Sequence, residues 1–234
     1  MNRMHPLAVA LAAALLAAPA VAKDTGLVFI SSEKDNAVTA LDGKTLEVVK
    51  VIPTGKRPRD LMFSPDHTKL YAACGDADRV DVIDVATLAV TGRIPVGEDP
   101  EMFDLSPDGR TLYVSREEDS VLGIVDLATR KPLGEVKVGG EPEGVLVSAD
   151  GRTVYVTSEV ASLVSAVDPV AGKVMKTAKV GNRPRRFAMT PDGTQLWVTN
   201  ELGASVSIIE TAGHTVAATL KFEPKGFRAD DVSP

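Results

Sequence analysis

Arg59, Glu101, Glu143 and Arg185 each directly follow a proline, and successive members stand 42 residues apart in a chain of 234. Asp60 and Arg186 sit beside the first and last of them. Guanidinium groups in such an array can hold a carboxylate or phosphate through planar, bidentate contacts. Glu101 and Glu143 can hold a cation or a basic patch on a partner. The two signs can equally pair with each other, or stay solvated as surface pairs of little energetic weight. Asp104 is a separate case, because its counterparts at the same interval are Met62, Leu146 and Ala188. A carboxylate at that otherwise apolar position can hold water or a cation, or make a structural hydrogen bond. The candidate binding residues are therefore Arg59, Asp60, Glu101, Asp104, Glu143, Arg185 and Arg186, with no catalytic residue, metal ligand or cofactor assigned.

Other reactive groups are sparse. Beyond His5, the histidines are His67 and His214, both in turns and both on the face opposite the charged loops. That placement argues against a histidine-based nucleophile system or metal centre. Cys74 is the single cysteine, so no disulfide forms within the chain, and its strand-end position suits an unreactive thiol. No C-x-x-C-H motif is present for covalent haem attachment. The acidic loops "GDADR" and "REEDS" lack the spacing of a calcium loop and read as a solvated rim. Acid–base chemistry by the carboxylates stays open, since environment tunes their pKa values. The formal charge of −6 gives no concentrated basic surface for nucleic acid.

The elements that position these groups are repeated. "SPDHTKLYAAC", "SPDGRTLYVSR", "SADGRTVYVTS" and "TPDGTQLWVTN" recur every 42 residues without insertion or deletion. Gly55, Gly97, Gly139 and Gly181 keep the same interval, as do Asp42, Asp84, Asp126, Asp168 and Glu210. Each unit reads as four short strands: an apolar segment such as "FDLS", an Asp-Gly turn, a nearly continuously apolar strand, an alternating strand and an outer strand. Asp can bond nearby backbone amides in such turns, and Gly accepts positive φ. Four antiparallel strands per repeat predict a β-propeller blade ahead of a solenoid. Loops from each outermost strand to the next innermost strand place the charged array on one face, near the central opening.

The segments "LYVSREEDSVLGIVDLAT" and "LWVTNELGASVSIIETA", with the corners "VKVGGEP" and "AKVGNRP", resemble YVTN-type β-propeller repeats over Gly26 to about Phe222. The opening "KDTGLVFISSEKDNAVTALDGKTLEVVKVIPTGKRPRDL" and the tail "KGFRADDVSP" are similar to the β-propeller proteins associated with pyrroloquinoline-quinone (PQQ)-dependent alcohol catabolism. That resemblance implies a periplasmic accessory of quinoprotein dehydrogenases, with a dehydrogenase or cytochrome as partner, in a ring of about seven blades. The chain itself reads as a signal peptide over residues 1–22, then four complete blades and a three-stranded remainder over residues 23–234. Cleavage would leave 212 residues with a charge of −7, because Arg3 departs with the leader. No later segment is apolar enough to span a bilayer. An incomplete propeller with open edges would tend to self-associate; a compact five-bladed ring is the alternative. The function expected is a non-enzymatic binding or accessory protein. A lactonase-like hydrolase using channel carboxylates or a metal, and a non-functional fragment of a longer propeller, are the alternatives.

Overall fold

The computed structural model describes residues 24–227 and 232–234. The first sheet contains β1 (Leu27–Ser32), β2 (Ala37–Asp42) and β3 (Val48–Pro53). The second contains β4 (Pro58–Phe63), β5 (Lys69–Cys74), β6 (Arg79–Asp84) and β7 (Ala89–Pro95). The third contains β8 (Pro100–Leu105), β9 (Thr111–Arg116), β10 (Val121–Asp126) and β11 (Lys131–Lys137). The fourth contains β12 (Pro142–Val147), β13 (Val154–Ser158), β14 (Leu163–Asp168) and β15 (Lys173–Lys179). The fifth contains β16 (Pro184–Met189), β17 (Gln195–Asn200), β18 (Ser205–Glu210) and β19 (Thr215–Lys221). In every sheet the strands pair in chain order and antiparallel, which is the propeller-like blade that the repeat predicts. The signal-peptide reading of residues 1–22 lies outside the described residues.

Turn chemistry accounts for each hairpin. The hydroxyls of Ser64, Ser106, Ser148 and Thr190 donate to Asp66, Asp108, Asp150 and Asp192 at 2.5–2.7 Å. Those carboxylates in turn accept the amides of Thr68, Arg110, Arg152 and Thr194. At the next turn, Asp42, Asp84, Asp126 and Asp168 accept the amide three residues on. Each loop thus satisfies its own backbone without help from a neighbouring sheet.

Sheets stack through apolar faces. Tyr71, Tyr113 and Tyr155 are buried where each sheet meets the next, among Val, Leu and Ile from both sides. Strands β5, β9 and β13 are buried on both faces, which explains their continuous apolarity. Strand β17 departs from this pattern. Trp197, the counterpart of Tyr155, is 37% exposed against 3%, because among the described residues no sheet covers that side. No strand of the fifth sheet pairs with the first among the described residues.

Candidate functional site

A hydroxyl in each second strand sets up the charged loops. The side-chain oxygens of Ser115, Thr157 and Thr199 accept the amides of Met102, Gly144 and Arg186 at 3.1, 2.7 and 3.1 Å. These bonds hold the irregularity by which the innermost strand slips register after its proline, between Pro100 and Phe103, Pro142 and Val145, and Pro184 and Phe187. The slip re-aims the residue after the proline, namely Glu101, Glu143 or Arg185. Just before the proline, Arg57, Asp99, Glu141 and Arg183 adopt left-handed backbone, with φ of 43–56°. Non-glycine residues in that region are strained. Their carbonyls accept the amides of Gly75, Glu117, Glu159 and Glu201 at 2.9–3.3 Å, which closes the corner.

The side chains brought together form one ion network across four sheets. Arg57 contacts Glu101 at 2.7 Å and Asp99 at 2.8 Å. Arg59 bridges Glu101 at 2.6 Å and Glu143 at 3.3 Å. Arg185 binds Glu143 at 2.7 Å, Glu201 at 3.0 Å and Glu159 at 3.3 Å. Arg186 reaches Glu143 at 3.1 Å, and Arg183 contacts Glu159 at 2.6 Å and Glu201 at 3.3 Å. Of the two sequence readings of this array, mutual pairing is what the geometry displays. The pairs are not surface decoration, since Glu101 and Glu143 are buried.

The electrostatics follow from burial. With Glu117 counted, six carboxylates face the five guanidiniums of this network, so one proton balances it. Burial and the charge of Glu143 push Glu101 up to about 8, against the opposing pull of Arg59 and Arg57. Burial would raise Glu143 too, but Arg185, Arg59 and Arg186 outweigh it and hold that carboxylate below its ordinary value. Burial also raises Glu117, in spite of a hydrogen bond with Glu101. Oxygens of Asp99, Glu101 and Glu117 lie within 4.8 Å of one another, a spacing that could suit a cation. Arg57 and Arg59 already engage both oxygens of Glu101, so the donor set favours a shared proton over a metal.

Asp60 and Asp104 play a different part. Asp60 accepts the amide of Phe103 at 3.1 Å, and Asp104 accepts that of Val147 at 2.7 Å. Each carboxylate also accepts the amide of its own next residue, Leu61 or Leu105. They staple each innermost strand to the next one, and burial raises both pKa values. For Asp104, the structural hydrogen bond is the option realised. Arg57, Asp99, Arg183, Glu117, Glu159 and Glu201 were missed as site residues from sequence. The last three recur at the 42-residue step, together with Glu33, and that step was the available signal. Gly75 fills the one gap in the series. A Cβ there would lie 3.0 Å from Asp99 and 3.2 Å from Arg57, so its absence makes room for the Arg57 guanidinium.

Two clefts lie away from the network. One, of about 410 Å³, is lined by residues including Tyr113, Ile124, Leu133 and Val170. The other, of about 400 Å³, includes Leu27, Asp66, His67 and Val85 on the opposite face. Burial pushes the Cys74 thiol up to about 11, as suits an inert side chain. Among the described residues, no helix is long and apolar enough to cross a membrane.

No protein-family model matches the chain, and no curated protein matches it. Among solved structures, 1546 chains match, so the fold is widely shared. One of them is Kuenenia stuttgartiensis hydrazine synthase, at 28% identity and a TM-score of 0.67. The alignment covers 71% of this chain and 49% of that one, so the chain spans about half the length of this solved relative. The likeness supports the β-propeller-like architecture.

Proposed function

We propose that the chain is a periplasmic β-propeller-like binding protein that docks a protein partner on its charged face, as an accessory to quinoprotein-dependent alcohol oxidation. One observation carries the docking reading. The buried carboxylates are already paired with arginines, while the rim of the same network stays open, with the Arg183 and Arg186 side chains 40% and 47% exposed. Such an array offers fixed charges for recognition and no unengaged nucleophile. Asp76 and Glu33 add exposed carboxylates around Arg57 and Arg59. Complementary charge at such a face chiefly sets specificity and association rate. The quinoprotein setting and the export rest on the sequence resemblance and the leader, and the partner class is a dehydrogenase or cytochrome. Affinity isolation of the tagged chain from the periplasm of alcohol-grown source cells tests this. A stoichiometric partner whose capture weakens with salt and with Arg186→Ala is expected; recovery of the chain alone overturns the reading.

A lactonase-like hydrolase is the second reading, favoured by the raised Glu101 beside Glu117, a pairing able to donate a proton. Combined substitution of Glu101, Asp104 and Glu143 separates the two. Turnover that is lost while partner capture persists selects the enzyme.

A further inference from the structure

The first sheet lacks what the other four possess. Strands β5, β9, β13 and β17 each pair along one edge with an innermost strand, β4, β8, β12 or β16. By the 42-residue step β1 is the counterpart of these second strands, yet among the described residues it pairs with β2 alone. Its other edge therefore carries a row of backbone groups with no strand against them. Ser31 stands on that strand at the position of Ser115, Thr157 and Thr199, whose oxygens accept an innermost-strand amide. Ser31 instead makes a 3.5 Å contact to the carbonyl of Arg59. The acceptor that sets the register slip elsewhere is thus in place, without the strand that would use it.

The chain itself contains four examples of the occupant. "PRDLMFS", "PEMFDLS", "PEGVLVS" and "PRRFAMT" share proline, two variable residues, an apolar residue, one variable residue, a second apolar residue, then Ser or Thr. We propose that the open edge of β1 is a strand-docking site for an extended segment of this pattern, supplied in antiparallel register by a partner protein. Main-chain pairing provides the affinity in such strand addition, and alternate side chains provide the selectivity. A glutamate after the proline is favoured. It would fall beside Arg59 by the same offset that sets Glu143 beside Arg185, a pair 2.7 Å apart. This surface is separate from the rim around Arg183 and Arg186, so the two readings fail independently.

The test is binding of a labelled synthetic peptide, Pro-Glu-Met-Phe-Asp-Leu-Ser-Pro, to the mature chain by fluorescence anisotropy. In β8 the amides of Phe103 and Leu105 point away from β9, to Asp60 and Asp104, so the Asp104 amide faces β9. N-methylation at the peptide's aspartate should therefore weaken binding about tenfold or more, the usual cost of one lost buried hydrogen bond. N-methylation at its phenylalanine should be tolerated. The protein variant Ser31→Ala should weaken binding several-fold while leaving the fold intact, since Ala73 occupies the same position in the second sheet. No saturable binding, or equal binding by the two methylated peptides, overturns the proposal.

Discussion

At the scale of the residue, Glu101 decides the behaviour of the network. Its ordinary value is 4.5, and the folded chain raises it to about 8. Between those values the folded state keeps a proton that the unfolded chain has released, so stability falls as pH rises from about 4.5 to 8. Urea denaturation across that range should show the fall, and Glu101→Gln should flatten it. Glu143 works in the opposite sense. Held below its ordinary value, it contributes stability above pH about 4.5 that is lost as pH drops through the folded value. Cys74 gives a simpler outcome. Buried and raised, it should resist alkylation by iodoacetamide at pH 8 in the native chain and react once guanidinium unfolds it.

At the scale of the element, the second-strand hydroxyls link the repeat to the site. Ser115 accepts the amide of Met102 and donates to the carbonyl of Glu143 at 2.6 Å, so it ties its own inner strand to the next one. Ser115→Ala should cost about 1–3 kcal/mol in chemical denaturation, because both partners are left buried without a replacement. The register slip itself should survive, since the second sheet makes it with Ala73. The four-strand pattern, the turn aspartates and the apolar second strands were all legible before any coordinates. They depend on local propensity and on a period that the sequence displays four times. The engagement of Asp104 with the amide of Val147 was not legible, because that bond spans 43 residues and depends on how two sheets stack.

At the scale of the whole molecule, the two end sheets differ from the inner ones. Ile30 is 51% exposed where its counterpart Ala72 is fully buried, and Trp197 is exposed where Tyr155 is buried. Truncating each aromatic should report this. Tyr155→Ala should cost about 3 kcal/mol, near the range for large core deletions, and Trp197→Ala less than half of that. Equal losses on thermal or urea denaturation would show that the outer face of β17 is covered in solution.

The 42-residue period by itself determined the strand count per unit, the turns and the face on which the variable charges collect. Each of those follows from residues close together in the chain, repeated often enough to expose any exception. Only the tertiary structure decided which charges meet. Arg59 and Glu143 lie 84 residues apart and share a contact because successive sheets bring equivalent loops around a common centre. Their burial, and the proton that six carboxylates require against five guanidiniums, are properties of that packing. No single repeat contains them.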